Sequence, residues 1–261
     1  MIISKLNTTI SNPIIYIANW EQQTILLNDL IGKDVTIRFT GLLICKSCQK
    51  QSKKFFGEGF CFSCFSSSAE NSPCILKPEL CQAHLGIGRD PLWEEKHHNQ
   101  PHIVYLAATD VVKVGVTRAT QLPTRWIDQG ASSAIILAET PNRYEAGKLE
   151  VELKAFYTDK TNYRKMIQNE IDEKIDLIEE KWHTIEQLPS DLQIYVSEND
   201  SITELNYPVL KFPKSVTVLN LEKTPLVKGT FVGIKGQYLL FDNDLALNVR
   251  RHTGYDIEFT Y

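Results

Sequence analysis

Two pairs of cysteines with metal-ligand spacing constrain the fold of this 261-residue chain more than any other feature. Cys45 and Cys48 form one Cys-x-x-Cys pair, Cys61 and Cys64 form another, and twelve residues separate the pairs. A tight turn between paired thiolates presents both sulfurs to one tetrahedral zinc ion at about 2.3 Å. The alternatives are a redox Cys-x-x-Cys or unpaired buried thiols, and two pairs at zinc-ribbon spacing disfavour both. We therefore expect a structural zinc site.

The surrounding segment, residues 45–101, is rich in Cys, Ser, Gly, Pro and His and has little hydrophobic periodicity. We expect it to need metal to become ordered, as a zinc-ribbon-like module. Cys74 and Cys81 lie within it, near four histidines: His84, His97, His98 and His102. Two thiols with one or two imidazoles can hold a second structural zinc. The alternative is a pair of core thiols with solvated histidines.

The first twenty residues contain no uninterrupted apolar run long enough for a signal-peptide core or a membrane span. We therefore expect a cytoplasmic protein that does not act in a membrane. Thiols stay reduced in that compartment, so the six cysteines favour metal binding over disulfides.

The formal net charge of −4 is unevenly distributed along the chain. Residues 166–206 carry eleven acidic side chains and only two lysines, a charge of −9, which leaves +5 for the rest. Phosphate contacts depend on local patches more than on total charge, so nucleic acid is a possible partner of the basic remainder. The acidic segment is expected to be the solvated face of a helix, or else a surface for a protein partner.

The hydrophobic pattern predicts an α+β protein in five parts. Residues 161–188 have a helical period with one apolar stripe and one acidic face, and Pro189 ends it. Both ends of the chain are rich in strand-like runs, so we expect the termini to pair into one small β-barrel or sheet. The parts are an N-terminal β segment (1–44), a cysteine-rich zinc module (45–101), a third domain (102–165), an acidic amphipathic helix with a linker (166–206) and a C-terminal β domain (207–261).

Residues 102–165 alternate between strand-like and helix-like stretches. The predicted elements are a hairpin with strands at 103–107 and 111–116, a helix at 124–129, a third strand at 134–138 and a helix at 142–157. The same residues carry four short motifs: Val104-Tyr105-Leu106, Lys113-Val114-Gly115, Arg125 and Leu149-Glu150. Their order resembles that of the GIY-YIG nuclease superfamily, which cuts or binds DNA. The resemblance implies a GIY-YIG-like three-stranded sheet with flanking helices.

The resemblance also implies a phosphodiesterase site. In active relatives a tyrosine hydroxylate or its bound water activates the nucleophile, an arginine stabilises charge on phosphate, and one carboxylate holds Mg²⁺. By resemblance these roles fall to Tyr105, Arg125 and Glu150. Lys113 replaces the tyrosine of the second motif, and it can clamp phosphate or act as a base if burial lowers its pKa. Gln129 stands where the superfamily has an aromatic residue or histidine, and it cannot take a proton.

Each of these residues also has a structural interpretation. Tyr105 can be a strand residue whose hydroxyl is satisfied at the sheet edge. Glu150 can be one of several exposed helix charges. Arg118 and Arg125 can pair with Asp128 or Glu150 at the surface instead of contacting phosphate.

Basic residues supply the candidate nucleic-acid contacts. Lys113, Arg118 and Arg125 belong to the motif region, and Lys53 and Lys54 flank the first cysteine pair. Near that pair, lysines interleave with phenylalanines, as they do on phosphate-and-stacking surfaces. A small zinc module also needs phenylalanines as its core, so we expect most of them to be buried.

The chain as a whole resembles an uncharacterised bacterial family that joins a cysteine-rich segment to this nuclease-like fold. The phrases that carry the resemblance are KVGVTR, TRWIDQGA, AGKLE, DKTNYRKM and GIKGQYLLF. The resemblance implies that relatives have two further cysteines, at the positions that Gly88 and His98 occupy in this chain. A histidine in place of a cysteine can keep a zinc ligand, so His98 is the expected histidine of the second site. Gly88 has no ligating side chain, which leaves that site short of a ligand.

Three functions are compatible with these features. The first is a zinc-containing protein that binds DNA or RNA through a nuclease-like cleft and has weak or no catalytic activity. The second is a Mg²⁺-dependent endonuclease, and the third is a protein-interaction scaffold without nucleic-acid binding. Lys113 and Gln129 favour the first over the second. Both nucleic-acid functions require Tyr105, Lys113, Arg125 and Glu150 to meet around one anion-sized cleft.

Overall fold

The computed structural model describes residues 1–157 and 162–261, which form a mixed α+β fold with three sheets. The strands are β1 (Asn7–Thr9), β2 (Ile15–Trp20), β3 (Gln23–Leu26), β4 (Asp34–Leu43), β5 (His102–Ala108), β6 (Val112–Arg118), β7 (Ser133–Thr140), β8 (Thr203–Glu204), β9 (Thr217–Val218), β10 (Leu226–Lys235), β11 (Tyr238–Phe241), β12 (Leu245–Asn248) and β13 (Tyr255–Thr260). The α-helices are α1 (Phe62–Ser67), α2 (Pro91–His98), α3 (Thr124–Asp128), α4 (Arg143–Leu153), α5 (Tyr163–Ile167) and α6 (Leu177–Gln187). Short 3-10 helices lie at Leu27–Leu30, Ala69–Asn71, Pro73–Ile75, Pro78–Leu80, Ala83–Leu85, Ala119–Gln121, Gln193–Tyr195 and Arg250–His252. Within the described residues, no helix has both the length and the apolar character needed to cross a membrane.

A six-stranded sheet joins the N-terminal and C-terminal parts of the chain. Strand β4 lies between β13 and β10, and the order continues through β11, β12 and β9. In β4, Ile37 pairs with Val227 on one side and with Phe259 on the other. These three side chains are buried in one hydrophobic core. The predicted pairing of the termini is confirmed, but the sheet is open, with β13 and β9 at its edges, instead of a closed barrel.

A four-stranded sheet of order β6-β5-β7-β8 positions the candidate site. Every residue of β5 is buried because both faces of this sheet are covered. Tyr105 and Ala107 belong to the core shared with the N-terminal strands β2 and β3, whereas Val104 and Leu106 pack with helix α4. The predicted hairpin and third strand are confirmed. The sheet has four strands instead of the predicted three, because the short β8 pairs with β7.

Helix α4 covers one face of this sheet. It begins after Asn142, whose side-chain oxygen accepts the backbone N–H of Glu145. Ala146, Leu149 and Leu153 recur at helical spacing and are fully buried against the strands. The helix predicted at 142–157 is therefore confirmed, with an earlier C-terminal end.

The single helix predicted over 161–188 is wrong. Its predicted start, Thr161, lies outside the described residues, and the rest forms two helices, α5 and α6, with non-helical chain between them. Asn169 has a φ of 59°, in the left-handed region that ends helices. Asp176 then caps α6 by accepting the N–H of Ile178 at 2.9 Å. The apolar period continues across this interruption, so it could not reveal the break.

The cysteine-rich segment approaches helix α4 backbone to backbone. The 3-10 helix Pro78–Leu80 crosses α4 at Gly147. A Cβ at Gly147 would lie 2.2 Å from the amide nitrogen of Glu79 and 2.4 Å from the carbonyl carbon of Pro78. No real Cβ makes such contacts, so glycine is what allows this segment to reach the helix.

We expect Gly147→Ala to destabilise the protein by about 1–3 kcal/mol, because the added methyl collides with backbone that cannot rotate away. In an isolated helix the same change would stabilise by roughly 0.5–1 kcal/mol, so the sign of the effect is informative. Urea unfolding measures it, with Val151→Ala on an exposed position of α4 as the control. A stabilised Gly147→Ala variant would contradict the docking described above.

Candidate metal centres and basic cleft

The first four cysteines converge on one point. Cys45 and Cys48 lie on the turn that follows β4, whereas Cys61 and Cys64 lie at the start of α1. The four sulfurs are within 4.8 Å of one another. The sulfurs of Cys48 and Cys61 are 3.9 Å apart, close to the ~3.8 Å between thiolates that share a tetrahedral zinc with 2.3 Å bonds. This group can hold a metal ion such as zinc.

The surroundings of Cys45 favour its thiolate form. Burial raises the pKa of Cys45, but backbone N–H groups of Cys48, Cys61 and Ser47 lower it, to about 6 in balance. The N–H of Cys61 donates to the Cys45 sulfur at 3.3 Å. Metals bind the thiolate and not the thiol, so backbone amides prepare this position for a cation.

A second group consists of Cys74, Cys81 and His98, whose ligand atoms also lie within 4.8 Å of one another. All three side chains are buried. His98 is the last residue of helix α2, and its Nδ1 is 3.8 Å from the Cys74 sulfur. The other nearby histidines make different contacts: His84 stacks on Tyr144, His97 bonds to the Trp93 carbonyl, and His102 bonds to the Gln100 carbonyl. The structure thus brings together the three residues that were expected to form a second site.

The Tyr105 side chain does not reach the protein surface, so it does not line the basic cleft described below. It is fully buried, and its hydroxyl donates to Gln129 Oε1 at 2.6 Å. Burial raises the pKa of Tyr105, Arg125 lowers it in part, and Glu150 adds to the rise. The charges of Arg125 and Glu150 therefore both influence the pKa of the Tyr105 hydroxyl. Glu150 is buried on α4 and forms an ion pair with Lys154 at 3.3 Å.

Lys113 has a different charged neighbour from these three residues. It shares the Tyr105 face of the sheet, but its ammonium is 3.7 Å from Asp110, which also pairs with Lys165 at 3.4 Å. Burial lowers the pKa of Lys113, and Asp110 opposes that change. Of the four residues expected to meet around one cleft, Tyr105 is influenced by the charges of Arg125 and Glu150, whereas Lys113 pairs with Asp110. Arg125 alone of the four lines the cleft described next.

A cleft of about 610 Å³, the basic cleft, separates the cysteine-rich segment from the four-stranded sheet. Residues from the chain's N-terminus, its cysteine-rich segment, strand β6, helices α3 and α4 and the C-terminal region line it. Its cationic side chains are Lys5, Lys46, Arg118, Arg125, Arg143 and Arg250. Its carboxylates are Glu58, Glu70 and Asp128. The cleft therefore has an excess of positive charge in a protein whose net charge is negative.

Ion pairs within the cleft show which cations carry this excess. Three of the cations form ion pairs: Lys5 with Asp128, Lys46 with Glu70 at 3.0 Å, and Arg250 with Glu58 at 2.6 Å. Among the described residues, no carboxylate forms an ion pair with the other three cations. Arg143 donates to the carbonyl oxygens of Cys74 and Ile75, both at 2.9 Å. Arg118 and Arg125 are left as the cations most available to a bound anion.

Aromatic side chains extend the basic cleft. A neighbouring cavity of about 670 Å³ shares Lys46, Arg118 and Arg250 with it and adds Phe60 and Phe65. Trp93 lines both cavities and stacks on His97 with the ring centroids 4.1 Å apart. Together the two cavities form a groove that is lined by guanidinium groups and by aromatic rings.

Some residues of the cleft were predictable from the sequence and others were not. Arg118 and Arg125, both expected as nucleic-acid contacts, line the cleft. Lys53 and Lys54, expected in the same role, are exposed and line neither cavity, so their nucleic-acid role stays a prediction. The cleft residues Lys5, Arg143, Arg250 and Trp93 were missed. Arg143 alone carried a signal, since a cation in the first turn of a helix opposes the helix dipole and calls for another role.

Comparison with models of protein families finds one family that matches this chain. The model of a family described as "Protein of unknown function (DUF2797)" matches residues 32–257. No curated protein and no solved structure matches the chain. The matched region contains both metal-ligand groups and the lining of the basic cleft except its N-terminal residues. Because the match covers most of the 261 residues, the chain belongs to the DUF2797 family.

Proposed function

We propose that this protein binds nucleic acid in the basic cleft, with metal-braced walls and a GIY-YIG-like sheet as its floor. The observation that carries the proposal is the position of Arg118 and Arg125. Both line the cleft, and within the described part of the chain neither forms an ion pair with a carboxylate. Both residues come from the elements that resemble the nuclease motifs.

The chemistry of the cleft suits a phosphate backbone. A guanidinium group can donate two parallel hydrogen bonds to phosphate oxygens, which gives geometry as well as charge. The exposed Phe65 and the face of Trp93 that is not stacked on His97 offer ring surface on which unpaired bases can stack. The combination favours a single-stranded DNA or RNA over a small anion, which would not need the aromatic wall.

The environment of Tyr105 supports binding without efficient hydrolysis. A general base must reach the nucleophile and lose its proton near neutral pH. The Tyr105 hydroxyl is buried, has a raised pKa and already donates to Gln129. Lys113 is held beside Asp110 and does not line the cleft. Neither residue of the two tyrosine motifs is therefore placed to activate water in the cleft.

A Mg²⁺-dependent endonuclease is the second candidate, because the charges of Arg125 and Glu150 both influence the pKa of Tyr105. A carboxylate, an arginine and a tyrosine in one place are the groups that such a site uses. Incubation of plasmid DNA or RNA with Mg²⁺ separates the candidates. Binding without cleavage is the expected outcome. Cleavage that disappears in both Glu150→Gln and Tyr105→Phe would establish the enzyme instead.

The direct test of the proposal is fluorescence anisotropy with short single-stranded DNA and RNA at low salt. We expect Arg118→Gln and Arg125→Gln each to weaken binding about tenfold, since one charge-assisted contact is worth about 1.5 kcal/mol. The losses should be similar for different sequences, because phosphate contacts carry no base information.

A double variant, Lys53→Ala with Lys54→Ala, provides the matched control. It removes two positive charges from the cysteine-rich segment but none from the lining of the cleft. We expect its affinity to stay within about threefold of the wild-type value, as rim charges contribute little. If the control variant lost binding and the arginine variants did not, the binding surface would lie outside the basic cleft. Absence of binding at low salt would support the interaction-scaffold function.

A further inference from the structure

The second cysteine group has three ligands on separate elements, and a tetrahedral metal needs a fourth. We propose that Glu94 supplies it, so that the site binds a zinc-like divalent cation through Cys74, Cys81, His98 and Glu94. This inference does not depend on nucleic-acid binding.

Glu94 is buried to an extent that is rare for a carboxylate. It is 2% exposed, on helix α2, one turn before His98. Its Oε1 accepts the N–H of Arg89 at 2.9 Å and the hydroxyl of Ser72 at 3.1 Å. Among the described residues, no lysine or arginine forms an ion pair with it. A buried carboxylate needs a compensating cation, and a metal at the neighbouring thiols would provide one.

The second oxygen of Glu94 faces the ligand side of His98. Oε2 is 3.7 Å from His98 Nδ1, the same nitrogen that lies 3.8 Å from the Cys74 sulfur. Tetrahedral ligand atoms at 2.0–2.2 Å from one ion are about 3.4 Å apart, so Nδ1 and Oε2 are close to the distance at which they can share a metal. Glu94 lies outside the 4.8 Å group that Cys74, Cys81 and His98 form, so its carboxylate must turn towards the two sulfurs when the metal binds. A carboxylate that only orients a ligating histidine bonds to the other ring nitrogen. The side of the ring on which Glu94 lies therefore favours direct coordination.

Gly88 leaves the space in which the carboxylate lies. A Cβ at Gly88 would be 2.3 Å from Glu94 Cδ and 2.4 Å from Oε2. A ligating side chain at position 88 and the Glu94 carboxylate would therefore compete for one place at the edge of the site. Because residue 88 is glycine, a carboxylate oxygen of Glu94 can occupy that place.

Metal titration of the intact, metal-stripped protein with Zn²⁺ tests the assignment. The wild-type chain should bind two equivalents, one at the four-cysteine group and one here. Glu94→Gln keeps the shape and should weaken the second equivalent by more than the roughly 100-fold that loss of an outer-shell hydrogen bond can cost, while the first is unchanged. Glu95→Gln is the control, since Glu95 is an exposed neighbour on the same helix whose carboxylate accepts hydrogen bonds from Asn99. Two equivalents with unchanged affinity in Glu94→Gln would overturn the proposal, and so would a single equivalent in the wild type.

A rescue variant keeps the proposal falsifiable if Glu94→Gln folds poorly. Gly88→Cys combined with Glu94→Ala puts a thiolate into the space that the carboxylate vacates. We expect this variant to regain the second equivalent. With Co²⁺ as the probe, the thiolate charge-transfer absorption of this variant should be stronger than that of the wild type, because one more sulfur would coordinate the metal. An unchanged Co²⁺ spectrum with full metal loading would show that position 88 and Glu94 lie outside the coordination sphere, and would overturn the assignment.

Discussion

Cys61→Ser is expected to unfold the cysteine-rich segment and remove one wall of the basic cleft. Structural zinc contributes about 10 kcal/mol or more to the folding of small metal modules, comparable to the whole stability of a typical domain. Residues 45–101 contain short helices and no strand, so the segment has little secondary structure to hold it together without metal. Cys61 also donates its backbone N–H to the Cys45 sulfur, which places it at the centre of the group.

Metal content and limited proteolysis measure this effect. The variant should lose the first metal equivalent and become cleavable between residues 45 and 101, as should wild-type protein treated with a strong chelator. Ser63→Ala, at an exposed position of α1, should retain both metal and protease resistance. A Cys61→Ser protein that keeps full metal and resists protease would show that the four thiols do not form a structural metal centre.

Lys181→Met is expected to lower the free energy of unfolding by about 3–5 kcal/mol, the usual loss when one partner of a buried charged network is removed. Lys181 is fully buried on α6. Its ammonium donates to the carbonyl oxygens of Ser197 at 2.6 Å and Asn199 at 2.9 Å, and it pairs with Asp200 at 2.9 Å. Methionine has a similar volume, so the loss would come from the unsatisfied carbonyls and not from a cavity.

Thermal unfolding should show a decrease in Tm of roughly 10 °C for this variant. Lys174→Met removes the other lysine of the acidic segment, at an exposed position, and should change Tm by no more than about 1 °C. Equal Tm values for the two variants would mean that Lys181 does not anchor the segment after α6.

Local patterns predicted the parts of the fold that local interactions decide. The β-rich runs around Val104 and Val114 pair as expected, because both strands of a hairpin are set by their own alternation and a short turn. The cysteine spacing identified one metal-ligand group, since ligand geometry requires neighbouring thiols. The helix after Asn142 was visible from its cap and its apolar spacing.

Features that arise from distant contacts could not be predicted in this way. Lys5 and Arg250 line one cleft although they come from opposite ends of the chain. No local sequence pattern indicates that they are close in space. The helical period through residues 161–188 hid the break at Asn169, because the apolar stripe resumes in α6. Lys181 seemed to belong to a solvated acidic face, and only tertiary packing shows that it is buried.

The salt dependence of nucleic-acid binding tests the central claim most directly. For single strands, the slope of log K against log salt is about −0.7 per neutralised phosphate. If Arg118 and Arg125 each contact a phosphate, the double variant Arg118→Gln with Arg125→Gln should have a slope shallower than the wild type by about 1.4. The Lys53→Ala, Lys54→Ala protein should keep the wild-type slope. A slope that the arginine substitutions leave unchanged would contradict a phosphate-binding role for the basic cleft.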